Sequence, residues 1–304
     1  MARNSLTPNV PVEVVYDEDY KRETGYTTLV TVLASLPLKK PKDNSFVRKN
    51  GNYVLKLIAD PDVGLPYGVI PRLLLAFIVT EAVKNKSRFR ITPESTETER
   101  LKARTISLGR NLAEFLRVLD IPRTGGRIKA LREQMKRLFS TAIRCTRFSK
   151  DVESGLNVYP VEKYDLWWGK TILAEQDSLW ESTVILSNTF YDEVSKSSVV
   201  FYIDMLKILR KSALAIDIYL WATYKYSYTK EATVIMWEQL QEQFGADYAN
   251  DDQGKRDFKK NFKKELKKVQ AVFPEASKIQ ILKDGKGIRF FPGDPHVPKT
   301  KSLE

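Results

Sequence analysis

The chain has 304 residues, 42% of them hydrophobic, with 14 Gly and 14 Pro, an ordinary globular composition long enough for two modest domains. One cysteine, Cys145, and one histidine, His296, exclude an internal disulfide, a multi-cysteine zinc site and any relay or metal cluster that needs paired histidines. Lys and Arg number 50 against 38 Asp and Glu, so a net charge of +12 calls for an anionic partner.

Residues 1–50 are polar and proline-punctuated, and read as a partly ordered N-terminal arm with one β-prone stretch, Tyr26 to Leu36. Tyr53 to Ile58 is strand-like and is closed by the turn Asp60 to Gly64. A helix begins near Pro71, where proline suits the first turn, and runs to about Asn85 with apolar residues on most sides. Lys86 to Ala103 reads as a charged, threonine-rich loop. Thr105 to Leu108 is a short strand and Leu112 to Leu119 a second helix, and the turn Asp120 to Gly126 leads into a third helix from Arg127 to about Thr141. Ile143 to Phe148, Val158 to Trp168 and Leu179 to Leu186 carry the alternation of antiparallel strands.

The second half repeats this order. Ser212 to Tyr224 is a buried helix, Val234 to Met236 a short strand, Glu238 to Phe244 a helix, Lys255 to Phe273 a long helix, and Ile279 to Phe291 a hairpin turning at Lys283 to Gly287. Ile106 lies as far before Arg127 as Ile235 lies before Arg256. Helix, short strand, helix, turn, helix and hairpin is the winged-helix order. The expected fold is therefore α+β, with two tandem winged-helix domains and antiparallel β-hairpin wings. Residues 51–191 form the first domain and 199–292 the second, 192–198 are a three-serine linker, and 293–304 are a flexible tail. The sheet of the first domain, with Trp167, Trp168 and Trp180, either packs within its own module or carries self-association.

The charge is concentrated in the two third helices. From Lys255 to Lys268, eight cations (Lys255, Arg256, Lys259, Lys260, Lys263, Lys264, Lys267 and Lys268) meet only Asp257 and Glu265, a net +6, while Phe258, Phe262, Leu266 and Val269 form one apolar stripe. In the first module Arg127, Lys129, Arg132, Lys136 and Arg137 against Glu133 give +4 above a buried side of Ile128, Leu131, Met135 and Leu138. One solvated charged face is commonplace, but two at equivalent places point to helices presented to the DNA major groove. Lys283, Lys286 and Arg289 on the second hairpin are candidate phosphate or minor-groove contacts. The aromatic residues Trp167, Trp168, Trp180, Tyr224, Tyr226 and Tyr228 suit single-strand stacking or, more simply, packing. Asp217, inside an apolar helix, calls for an ion pair or hydrogen bond. There is no carboxylate cluster of the two-metal kind and no Gly-x-x-x-x-Gly-Lys loop, so neither an enzyme nor a cofactor is expected. No apolar run reaches the ~18–20 residues of a membrane span, and a cytoplasmic protein is expected.

Several ordered motifs carry a family resemblance: Leu65-Pro66-Tyr67-Gly68-Val69-Ile70-Pro71-Arg72, Ile106-Ser107-Leu108-Gly109, Glu114-Phe115-Leu116, Thr124-Gly125-Gly126-Arg127, Leu131 to Phe139, Leu209 to Trp221, Trp237-Glu238-Gln239-Leu240 and Gln243-Phe244-Gly245. Over about Tyr53 to Pro292 the chain resembles the plasmid-encoded RepA replication initiators. That resemblance implies a tandem winged-helix initiator that binds repeated origin sequences in double-stranded DNA, opens adjacent DNA and helps recruit the host initiator and replicative helicase. It also implies repression of its own promoter and a homodimer to monomer switch governing copy number. A winged-helix transcriptional repressor with no replication role is the alternative.

Overall fold

Residues 22–109, 112–166, 182–245 and 247–298 are described in the computed structural model. Strand β1 (Thr24–Thr28) runs into the one-turn helix α1 (Leu29–Leu33), and β2 (Ser45–Asn50) and β3 (Tyr53–Ile58) follow. Gly68, at φ +77°, supplies the left-handed turn that starts α2 (Val69–Arg88), a helix buried on most sides. Helix α3 (Glu97–Arg104) is opened by a capping box in which Thr96 and Glu99 satisfy each other's backbone N–H. Strand β4 (Thr105–Ser107), α4 (Leu112–Val118) and α5 (Gly125–Ser140) complete the helical part of the first half. Strands β5 (Ala142–Ser149), β6 (Val152–Val158), β7 (Val161–Asp165) and β8 (Thr183–Leu186) come next.

The second half opens with α6 (Asn188–Lys196), β9 (Ser198–Tyr202) and α7 (Ile203–Leu209). The core helix α8 (Ala213–Tyr226), β10 (Thr233–Met236), α9 (Trp237–Phe244), α10 (Asp252–Val272) and the hairpin β11 (Ile279–Ile281) and β12 (Gly287–Phe290) complete it. All strand pairing is antiparallel. The expected α+β class is therefore present, and among the described residues no helix is long and apolar enough to cross a membrane.

Two three-stranded sheets share one topology. In the first half the order is β4-β8-β7, and in the second β10-β12-β11, so in each the short strand before the last two helices of its half pairs with the last strand of the hairpin. Ile106 faces Val184 and Ile235 faces Ile288, at matching places in the two ladders. The first half departs from the expected order by inserting a hairpin. Strand β5 pairs with β3, not with β7 or β8, and builds a separate sheet, β2-β3-β5-β6.

Residues 22–50, expected as part of an arm, are built into the fold. Strand β1 pairs along its length with β9, and β2 forms an edge of the four-stranded sheet. The stretch 192–198, expected as a linker, is the last turn of α6 and the first residue of β9. Ser187 caps α6, and Phe190, Tyr191 and Val194 are buried on one face, so the serines flank an amphipathic helix. The expected loop Lys86 to Ala103 holds the last turn of α2 and most of α3. The tail is also docked as far as His296, whose ring stacks on Phe273 at 4.4 Å and whose Nδ1 lies 3.1 Å from the Tyr219 hydroxyl. Trp167, Trp168 and Trp180, on which the expected self-association surface rests, lie outside the described residues.

A buried polar cluster ties the halves together. Arg72 on α2 donates from Nε and Nη2 to the two carboxylate oxygens of Asp217 on α8, at 2.7 and 2.6 Å. Its other N–H groups go to the carbonyls of Leu36, Pro37 and Gly68. Asp217 is thus held in the ion pair that its place in an apolar helix demands. Arg48 on β2 donates to the carbonyls of Ser35 and Phe244 and pairs with Asp247 at 3.4 Å.

Burial among Phe273, Tyr219 and Tyr202 holds His296 down to about 4, with the Arg22 charge adding to the effect. Below the unfolded value of about 6.5 the unfolded chain takes up a proton that the folded one refuses, so the stabilisation is complete above that pH and is lost as pH falls toward 4. Between pH 7.5 and 5 the loss is expected to be about 2 kcal/mol. His296→Phe is expected to flatten this part of the pH profile in urea denaturation. An unchanged slope refutes the assignment.

Candidate nucleic-acid interface

The amphipathic stripe read from the sequence fixes α10. Phe258, Phe262, Leu266 and Val269 are fully buried, and the first two meet Trp237 edge-on. The helix starts where Asp251 accepts a bond from the Gly254 N–H at 2.7 Å, two turns before the densest run of lysines. Lys255, Arg256, Lys260, Lys264, Lys267 and Lys268 are exposed. Lys259 and Lys263 are half-buried, their ammonium groups 5.4 and 5.7 Å from the Trp237 ring centre. Lys259 Nζ also donates to the Gly285 carbonyl at 3.0 Å, as does the Trp237 indole N–H at 2.9 Å, so these two side chains staple the helix to the hairpin turn. Lys268 is held by Glu265 at 2.7 Å. Its charge is locally compensated.

The hairpin turn is closed by Gly285 at φ +69° and by Asp284, whose carboxylate accepts from the Lys286 N–H. Lys283, Lys286 and Arg289 are all exposed. Arg289 sits across from Val234 and Gln280 on the solvent side of its sheet.

On α5 the structure divides the predicted set. Arg127, Lys129, Arg132 and Lys136 are exposed, while Arg137 is only 8% exposed and must be removed from the open face. Its guanidinium donates to Glu133 Oε1 at 3.1 and 2.8 Å and to the Leu65 carbonyl at 3.2 Å, and lies over the Tyr67 ring. Beside it, buried Gln134 accepts from the Tyr67 N–H at 2.9 Å. The wheel pattern misplaced Arg137 because the loop that covers it comes from a distant part of the sequence. The intrahelical Glu133–Arg137 spacing was its one local signal.

Sequence reasoning passed over two exposed residues beside the cationic faces. Arg123 precedes α5, and Gln253, in the first turn of α10, accepts from Arg256. Of the aromatic residues considered for stacking, Tyr226 is buried against Phe273 and Phe290 and donates to the Glu275 carbonyl. Tyr224 is half-buried and Tyr228 exposed, with ring centres 5.1 Å apart. Among the described residues no three His, Cys, Asp or Glu side chains gather as metal ligands.

Fold and site together define a class: an α+β protein in which two sheets of the same topology each have one strand before and two strands after a helix with an open cationic face. The pattern of the family described as plasmid encoded RepA protein matches residues 65–239, more than half of the chain. The chain belongs to this family of plasmid replication initiators. The match ends at Gln239, before α10 begins. Among solved structures, the fold is similar to that of the selenomethionine form of domains 2 and 3 of RctB, with 10% identity and a TM-score of 0.50 over 86% of this chain and 98% of that one. A second crystal structure of the same RctB domains covers 86% of this chain and 94% of its own at 10% identity and a TM-score of 0.48. No curated protein sequence matches the chain.

Arg137→Ala is expected to destabilise the fold by about 2–4 kcal/mol, because it frees a buried carbonyl and unseats the loop Leu65 to Tyr67. It is also expected to leave the salt dependence of nucleic-acid binding unchanged. A lowered salt slope with unaltered stability would return Arg137 to the open face.

Proposed function

We propose that the protein initiates plasmid replication by binding repeated double-stranded origin sequences through two winged-helix modules. Helices α5 and α10 enter successive major grooves, and the β11–β12 wing lies along the adjacent backbone. Binding then promotes opening of neighbouring DNA and recruitment of the host initiator and replicative helicase. Occupancy of the same sequence at its own promoter represses its synthesis, and a dimer to monomer equilibrium sets how much protein is competent. The observation that carries this reading is the pairing of two exposed cationic helix faces with two sheets of identical strand order. In a helix-turn-helix unit the third helix is the one offered to the groove, and its first turns reach base edges.

The decisive experiment is replication in trans. A plasmid lacking its own initiator but carrying the DNA beside this gene is expected to yield transformants only in cells that supply the protein. If the protein binds that DNA and silences the promoter yet supports no replication, it is a repressor.

In binding assays affinity is expected to fall by about a thousandfold or more between ~50 and ~200 mM salt, if about six to ten phosphates are neutralised. Arg256→Ala is expected to cost about 1–3 kcal/mol on the preferred sequence and little on random duplex, whereas Lys264→Ala weakens both alike and lowers the salt slope by about one. Equal behaviour of the two variants on the two DNAs makes Arg256 a phosphate contact.

A further inference from the structure

The N-terminal turns of α10 hold a three-residue chain of hydrogen bonds on the solvent face. Gln253 Oε1 accepts from Arg256 Nη2 at 3.0 Å and from Nε at 3.4 Å, and Gln253 Nε2 donates to Asp257 Oδ1 at 3.0 Å. All three residues are exposed, and the spacings of three and four place them on one face. The neighbours fix the orientation of the amide, because its oxygen must face the guanidinium and its nitrogen the carboxylate. Gln253 therefore occupies one defined edge of Arg256, the side edge made by Nε and Nη2. The other edge, the fork of Nη1 and Nη2, is left for an outside acceptor pair.

We propose that Gln253 is a positioning residue for sequence reading: braced by Asp257, it holds the Arg256 guanidinium so that its Nη1/Nη2 fork meets the O6 and N7 of a guanine. This rests on the reading of α10 as a DNA-reading helix and says how that helix selects its base. A free arginine side chain has many rotamers to lose, and holding it in one before contact removes much of that cost. A planar fork also discriminates only when its plane is fixed, since a swinging guanidinium finds a phosphate as readily as a base edge. Asp257 has a second effect. Its carboxylate repels phosphate, so the same residue that braces the reader weakens adhesion to any DNA at this turn.

The test selects binding sites from a random-sequence duplex pool with the full-length protein and with Gln253→Ala, Arg256→Ala, the double variant and Asp257→Ala. Wild type is expected to enrich one guanine that Arg256→Ala no longer enriches. Gln253→Ala is expected to weaken preference for that guanine about three- to tenfold while binding to unselected duplex and the salt slope stay as in wild type. In the double variant, loss of Gln253 is expected to add nothing to loss of Arg256. Asp257→Ala is expected to lower the same preference while raising affinity for unselected duplex. Gln253→Ala that leaves the preference intact, or that costs as much with Arg256 absent as with it present, overturns the proposal, the second outcome making Gln253 a base contact in its own right. A wild-type protein that enriches no sequence overturns the DNA-reading assignment itself. One that enriches a sequence indifferent to Arg256 overturns the placement of the reader on this turn.

Discussion

The Arg72–Asp217 pair is the constraint on which the arrangement of the two halves depends. Both side chains are buried, and the guanidinium places its N–H groups on the carboxylate and on three backbone carbonyls. Two buried charges are tolerated only under such conditions, because desolvation costs several kcal/mol per ion and only close, fully bonded geometry offsets it. Desolvation pushes the Asp217 carboxyl up and the facing guanidinium pulls against it. The pair cannot slide or rotate without stranding a charge in an apolar core. A hydrophobic contact between α2 and α8 tolerates small shifts, but this one has a single register.

From that fixed point a rigid path leads to each cationic face. Helix α10 packs on α8, which carries Asp217, and Lys259 and Trp237 then bind α10 to the hairpin turn through the Gly285 carbonyl. On the other side α5 packs on α2, which carries Arg72, and Arg137 and Gln134 bind α5 to the loop that leads into α2. Arg48 adds a second tie, from β2 to the end of α9, and burial lowers it only to about 10, so it stays cationic at neutral pH. Pairing of β1 with β9 closes the remaining gap between the halves. The spacing of the two faces is thus set by the core. On the proposed reading, that spacing selects the helical phase at which two stretches of groove are presented, before any base is read.

What the sequence revealed and what it concealed divide along the range of the interactions. The α10 stripe, the matching places of Ile106 and Ile235 and the burial of Asp217 rest on periodicity or on the cost of an isolated charge, and they were legible. Helices α3 and α6 had local signals that composition masked: Thr96 with Glu99 is a capping box within a polar run, and Ser187 with Phe190, Tyr191 and Val194 is a capped amphipathic turn beside three serines. Arg137 had only its spacing from Glu133, and β1 only a β-prone stretch that names no partner. Whether an arginine on a helix flank meets solvent depends on a loop far away in sequence, and whether a short threonine-rich strand is an arm or an inner ladder depends on β9, which is more than 170 positions further along. Exposed cations of α10 could be listed from the sequence, but the bonds among Gln253, Arg256 and Asp257 depend on side-chain rotamers that no spacing specifies.

The two cationic helices also differ at their starts, in a way that net charge obscures. Helix α10 begins at Asp251 and Asp252, and the Asp251 carboxylate already satisfies one of the free N–H groups. An anion gains little there and meets repulsion, which leaves contact to the cations that follow, from Lys255 and Arg256 on. Helix α5 begins at Gly125 and Gly126, with no side-chain cap, no acidic residue in its first turn and open space where a Cβ would stand. Its first turn is flanked by the exposed Arg123 and Arg127. On the proposed reading the exposed lysines further along α10, Lys260, Lys264 and Lys267, meet phosphate, while Asp257 beside Arg256 leaves that arginine to the bases. On that reading the +12 charge supplies the attraction, and the placement of a few carboxylates decides which cations meet phosphate and which read bases.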